Sequence, residues 1–168
     1  MNWFFITLGY SGLSPKAPGT VGTLLSLPLG MLILIYFDAQ TLFLAALLIS
    51  IIAIREINKY EEKSGIHDDK RIVIDELAGI WFALSVAPAM GVGFVEISDL
   101  QNGFLVQSLL SFVLFRYFDI AKPSIIGRLD REAKGGIGVM ADDIVAGFAA
   151  GILSALIWQG WLQIQNII

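Results

Sequence analysis

Five stretches of this chain, each at least 16 residues long, contain no Asp, Glu, Lys or Arg. They are residues 17–37, 39–54, 77–95, 100–115 and 144–168. A helix needs about 20 apolar residues to cross the hydrocarbon core of a bilayer, and about 17 are enough. The two 16-residue stretches reach this length through Arg55 and Arg116, whose charged ends extend to water. The runs are too long, and alternate too little, for strands. We therefore predict an all-α, polytopic helical membrane bundle with about five spanning helices.

The composition agrees with a membrane protein and limits its chemistry. Charged residues make up 15% of the 168 residues, whereas soluble domains average about 25%. The length suits a single domain over residues 1–168. The net charge of −4 argues against a nucleic-acid partner, because a phosphate backbone binds basic surfaces. With no cysteine and only His67, thiolate chemistry, disulfides and sites that need two imidazoles are excluded.

The charged residues are distributed unevenly along the chain. All 11 Lys and Arg residues lie at Lys16 or in two polar connections, residues 55–76 and 116–143. If five helices alternate in direction, these three places share one side of the membrane, and the positive-inside rule makes that side cytoplasmic. Twelve of the 15 acids lie there as well. The other three acids are Asp38, Glu96 and Asp99.

The N-terminus lacks the basic start and small-residue cleavage site of a signal peptide. Its aromatic and aliphatic residues 3–8 predict a short interfacial helix.

Two pairs of carboxylates adjoin long apolar runs. Asp75 and Glu76 lie within the pattern IVIDELAGIWF, and Asp142 and Asp143 directly precede the last stretch. Acids in such places are costly unless they are paired, bind a metal or face a water-filled cavity. Two plainer interpretations stay open: solvated loop charge, and for the second pair, capping of the last helix. Oxygen ligands without His or Cys suit Mg²⁺, and the interleaved Lys and Arg suit a phosphate monoester.

Two glycine-rich segments also suit an anion. Residues 17–23 (APGTVGT) place the Thr20 and Thr23 hydroxyls at a helix start, and residues 134–138 (KGGIG) offer a backbone nest. A simple cap and a flexible loop are the alternatives. Walker A, Asp-x-Asp and Asp-x-x-x-Asp patterns do not occur, and one His cannot serve a histidine-based lipid phosphatase. Metal, carboxylates and an activated water are therefore the simplest enzymatic scheme.

Four motifs, in this order, resemble the phosphatidylglycerophosphatase A family. They are SGLSPKAPGTVGTL (11–24), HDDKRIVIDELAGIW (67–81), FVLFRYFDIAKPSIIGRLDR (112–131) and GGIGVMADDIVAG (135–147). The resemblance implies an all-helical, multi-pass enzyme of the bacterial inner membrane that depends on Mg²⁺. It also implies removal of the terminal phosphate of phosphatidylglycerophosphate, giving phosphatidylglycerol. Where many relatives read Lys-Pro-x-Pro-Ile, Ile125 replaces the second proline here.

The resemblance and the charge types together predict the site. The predicted catalytic acids are Asp75, Glu76, Asp119, Asp142 and Asp143. The predicted metal carboxylates are Asp69, Asp75, Glu76, Asp142 and Asp143. Asp130 is predicted to contact these ligands without binding the metal itself. The predicted phosphate ligands are Thr20, Thr23, Arg116, Lys122 and Arg128. We expect this site at the cytoplasmic helix ends, where a lipid headgroup enters while the acyl chains stay in the bilayer.

Two other classes of protein were weighed against the enzyme. A divalent-cation or proton transport component needs acids at mid-span, whereas these acids lie at helix ends. A non-catalytic scaffold gives no reason for so many acids beside lipid. Gly147 and Gly151 predict close helix packing inside the bundle rather than a dimer face. The sequence leaves open the oligomeric state, the number of metal ions, and whether water or a carboxylate is the nucleophile.

Overall fold

The computed structural model describes residues 1–87 and 103–167. In these two ranges all regular secondary structure is helical, as predicted. The elements are α1 (Trp3–Ile6), a 3₁₀ turn (Ser11–Leu13), α2 (Pro18–Tyr36), α3 (Ala39–Ser64), α4 (Ile74–Val86), α5 (Phe104–Ala121), α6 (Ile125–Glu132) and α7 (Gly135–Gln165).

Four of these helices, α2, α3, α5 and α7, are long and apolar enough to cross a membrane. The prediction was about five, and the stretch that differs is residues 77–95. Its described part belongs to α4, which has 13 residues. The predicted end of that span at Pro88, Gly91 and Gly93, and the predicted outer acids Glu96 and Asp99, lie outside the described residues. Ten residues of α4 are buried, and α4 contacts all four long helices, so it forms the centre of the bundle.

The boundary of α3 shows why charge-free stretches underestimate helix length. The helix begins after Asp38, whose Oδ1 accepts the N–H of Thr41 at 2.6 Å, and ends at Gly65 with φ of 69°. It continues ten residues beyond the predicted limit at residue 54, because polar residues such as Glu and Lys favour a helix as well as Leu does. Much of the predicted polar connection is therefore helical.

The start of α7 corrects the capping interpretation of Asp142 and Asp143. The helix begins at Gly135, so both acids lie about two turns inside it, where no free backbone N–H groups need a cap. Both carboxylates are buried, with 6% and 4% of the residue exposed.

Small residues let α4 and α7 cross closely. A Cβ at Gly147 would overlap the carbonyl oxygen of Gly79, and a Cβ at Gly151 would lie 2.5 Å from the carbonyl oxygen of Ala83. The prediction of packing inside the bundle is confirmed. Because Asp143 is one turn before Gly147, this crossing carries its carboxylate towards the first turn of α4.

The predicted N-terminal helix is present as the single turn α1. The side chain of Asn2 accepts the N–H of Phe5 at 3.2 Å, and Ile6 is fully buried. This turn packs against α3. Its position at the membrane interface stays a prediction.

Candidate active site

A polar cavity of about 260 Å³ opens at one end of the bundle. The start of α2, the loop before α4, the end of α5, α6 and the first turns of α7 surround it, so all four motifs contribute. Its ionisable lining residues are His67, Asp68, Lys70, Asp75, Glu76, Arg116, Asp119, Lys122, Asp130, Asp142 and Asp143. Seven carboxylates thus share the cavity with three cations.

Glu76 is held from two sides. Its Oε2 accepts a hydrogen bond from the hydroxyl of Thr23 at 2.8 Å. The same oxygen forms an ion pair with Nη1 of Arg116. The same Nη1 lies 2.9 Å from Oδ2 of Asp119. A Cβ at Gly19 would overlap Oε1 of Glu76, so a larger residue at this position would require the Glu76 side chain to shift. The charged end of Arg116 is therefore fixed in one orientation by two carboxylates.

Lys122 joins three elements at the cavity wall. Its Nζ pairs with Asp130 on α6 and lies 2.8 Å from Oδ2 of Asp142 on α7. Burial alone would lower the pKa of Lys122, but the hydrogen bonds to Asp130 and Asp142 outweigh it and raise the pKa above its ordinary value. Lys122 is consequently a permanent positive charge beside the cavity.

Asp75 and Asp143 differ from Glu76, Asp119 and Asp142, because neither forms an ion pair within the described residues. Asp143 is buried and Asp75 is partly exposed. The Oδ1 of Asp75 accepts the N–H of Glu76 at 2.9 Å. Uncompensated carboxylates beside a cavity favour binding of a cation. Their oxygens are the donors that Mg²⁺ prefers, so the chemistry of the donor set fits that ion. Among the described residues, however, no three acids or histidines already converge as a metal site.

Eight of the predicted site residues line the cavity, and four do not. Thr23 is fully buried beneath Glu76, and Thr20 lies in the first turn of α2 without facing the cavity. Arg128 is exposed on α6. Asp69 is bound by Arg71 and Tyr60 outside the cavity. The structure brings together the other eight: Asp75, Glu76, Arg116, Asp119, Lys122, Asp130, Asp142 and Asp143.

Three ionisable lining residues were not predicted from the sequence: His67, Asp68 and Lys70. His67 Nδ1 lies 2.6 Å from Oε1 of Glu61, at the rim. The signal was their position beside Asp69 in the motif HDDK. The sequence argument favoured acids next to apolar runs, and residues 67–71 form an uninterrupted polar segment.

Fold and site together define a polytopic helical membrane protein with a carboxylate-rich cavity at one end of its bundle. Residues 4–158 match the family described as Phosphatidylglycerophosphatase A. This chain belongs to that family and is an enzyme of it, which confirms the resemblance of the four motifs.

Individual relatives support this membership. Phosphatidylglycerophosphatase A of Escherichia coli (strain K12) is 35% identical over 153 residues, covering 90% of this chain and 81% of that protein. Phosphatidylglycerophosphatase A of Haemophilus influenzae is 31% identical over 152 residues, covering 90% and 85%. A putative phosphatidylinositol-3-phosphatase of Bacteroides thetaiotaomicron is 36% identical over 150 residues, covering 87% and 86%. No solved structure matches the chain significantly.

Proposed function

We propose that this enzyme hydrolyses the terminal phosphate of phosphatidylglycerophosphate to phosphatidylglycerol and inorganic phosphate, with Mg²⁺ as its cofactor. The observation that carries the proposal is the meeting of eight predicted site residues in one cavity at a bundle end. Family membership supplies the reaction class. The excess of carboxylates over cations supplies the reason for a divalent ion.

The cations of the cavity bind and orient the phosphate. Arg116 is held by Glu76 and Asp119, and Lys122 by Asp130 and Asp142, so both charges are in place before the substrate arrives. In this scheme Asp75, Glu76, Asp142 and Asp143 hold Mg²⁺. When bound, the ion polarises the phosphoryl oxygens and offsets their charge.

Asp75 forms no ion pair with Lys or Arg among the described residues. We assign it a second role besides holding Mg²⁺, in which one of its carboxylate oxygens accepts the proton of the attacking water. Water attacks phosphorus, the bond from phosphorus to the glycerol oxygen breaks, and that oxygen takes up a proton.

The orientation is part of the same proposal. The 11 cations lie at the cavity end of the helices or in the adjoining loops, which favours a cytoplasmic cavity in a bacterial inner membrane. The headgroup then enters from the leaflet that faces the cytoplasm. The transport alternative finds no support, because the described acids gather around the cavity end and, with Asp38, at the opposite end.

Phosphate release from phosphatidylglycerophosphate in mixed micelles tests the function. We expect release with Mg²⁺, none after EDTA, and a loss of about a hundredfold or more in Asp143→Asn. Asp38→Asn is the matched control at the other end of the bundle, because Asn caps a helix as well as Asp does. Wild-type activity in Asp143→Asn would reject the site, and no release by the wild-type protein would reject the function.

Phosphatidylinositol 3-phosphate should be tested as a second substrate in the same assay. The relative named a putative phosphatidylinositol-3-phosphatase is as similar to this chain as the phosphatidylglycerophosphatases are. A further hollow of about 560 Å³ adjoins the cavity and shares His67, Asp68 and Asp130 with it, which leaves room for a larger headgroup. The ratio of kcat/KM for phosphatidylglycerophosphate and phosphatidylinositol 3-phosphate decides between the two lipids.

A further inference from the structure

Asp69 is enclosed by side chains that lie outside the cavity. Its Oδ2 accepts the hydroxyl of Tyr60 and lies 2.5 Å from Nη2 of Arg71, and its Oδ1 accepts Nε–H of Arg71 at 2.9 Å. The Asp69 side chain is 8% exposed. Both carboxylate oxygens are thus engaged, and none of these three residues lines the cavity. Hydrogen bonds from Arg71 and Tyr60 lower the pKa of Asp69 well below its ordinary value, so the carboxylate stays charged.

The N-terminal segment completes this cluster. The Trp3 ring stacks on Tyr60 with 5.1 Å between centroids, and the Arg71 guanidinium lies 5.1 Å from the Trp3 ring centre. The N–H of Val73 donates to the carbonyl of Ile6 at 3.0 Å. The loop before α4 is therefore attached to α3 on one side and to the N-terminus on the other.

The residues on both sides of Asp69 face the cavity. Asp68 and Lys70 line it, and Asp68 has a left-handed φ of 51°, which is unfavourable for a residue with a side chain. Such a conformation persists only where the surroundings hold it. The hydrogen bond from Ile72 N to the Asp69 carbonyl at 2.8 Å closes the turn behind it.

We propose that Trp3, Tyr60, Asp69 and Arg71 form a clasp that positions the cavity wall at residues 67–70 against the substrate headgroup. Asp69 is then a positioning residue and not a metal carboxylate. The proposal deepens the proposed function and rests on it for the reaction whose kinetics are measured.

The test compares Asp69→Asn, Arg71→Gln and Tyr60→Phe in the full chain. Each should raise KM for phosphatidylglycerophosphate by roughly three- to tenfold, the scale of one hydrogen bond to a charged group. We expect kcat and the half-saturating Mg²⁺ concentration to change by less than about twofold, because the reacting groups are untouched. Tyr60→Phe combined with Asp69→Asn should add little to Asp69→Asn alone, because both act on one contact. Hydrogen exchange of residues 67–72 should speed up in all three variants.

The control is Asp38→Ala, which removes the cap of α3 at the opposite end. It should lower thermal stability without moving KM or the exchange of residues 67–72. A raised Mg²⁺ requirement in Asp69→Asn alone would overturn the proposal and make Asp69 a metal ligand. Unchanged exchange in every variant would also overturn it. If the wild-type protein releases no phosphate, the proposed function fails, and the exchange rates still decide whether the clasp exists.

Discussion

Glu76 and Thr23 show how one carboxylate is kept in place inside an apolar bundle. Both residues are buried, Thr23 completely and Glu76 with 7% exposed. A buried charge without partners costs several kcal/mol, and here a hydroxyl and a guanidinium meet the same carboxylate oxygen. Thr23 was predicted to bind the phosphate, but its hydroxyl donates a hydrogen bond to Glu76. We therefore expect Thr23 to affect activity through the position of Glu76.

Substitutions at Thr23 test whether its hydrogen bond to Glu76 matters for activity. Thr23→Val keeps the shape and removes the donor, so a buried acceptor loses a partner at a cost of about 1–3 kcal/mol. We expect kcat/KM for the lipid to fall by roughly tenfold or more. Thr23→Ser keeps the hydroxyl and should stay within about threefold of wild type. Equal activity in Thr23→Val and wild type would show that Glu76 does not need this hydrogen bond.

At the scale of elements, α7 both lines the cavity and packs against α4. Its first turns carry Asp142 and Asp143 to the cavity, and its middle turns cross α4 at Gly147 and Gly151. The acids lie near the first turn of α4 because backbones approach closely at this crossing. A wider crossing would draw Asp143 away from Glu76.

Two glycine substitutions on the same helix test this dependence. In Gly147→Ala the new Cβ overlaps the Gly79 carbonyl, a backbone atom that cannot turn aside, so we expect a loss of about 1–3 kcal/mol in stability. Gly160→Ala meets nothing within 4 Å and should be neutral or stabilising by up to about 1 kcal/mol. Thermal unfolding in detergent measures both. Equal melting temperatures for the two variants would contradict the close crossing.

At the scale of the whole molecule, the charged residues that the structure describes gather at one end, apart from Asp38. Motifs as far apart as Gly19 and Asp143 meet around one cavity, while Asp38 caps α3 at the other end. This arrangement suits a membrane enzyme whose substrate headgroup stays at the bilayer surface. It also makes a definite prediction about topology.

The absence of cysteine makes that topology directly measurable. Gln40→Cys places an exposed thiol near the start of α3, and Lys63→Cys places one near its end. In intact cells we expect a membrane-impermeant maleimide to label only Gln40→Cys, because the cavity end faces the cytoplasm. Both should react after permeabilisation. Labelling of Lys63→Cys in intact cells would reverse the proposed orientation.

The sequence by itself determines that the chain is helical and suited to a membrane. It also determines that most of its charged residues share one end. Each depends on the transfer free energy of a local stretch, which is nearly independent of what the stretch packs against. Helix ends were less predictable, because polar residues continued α3 past the apolar limit and extended α7 backwards to Gly135.

Only the tertiary structure decided which acids face the cavity. Asp69 and Asp75 belong to the same motif, yet one is clasped by Arg71 and Tyr60 and the other lines the cavity. Likewise the hydroxyl of Thr23 donates to Glu76, although its residue type and its place at a helix start suit a phosphate ligand. The direction in which each side chain points depends on helix rotation and on crossings set by Gly79 and Gly147, and those contacts join residues far apart in the chain.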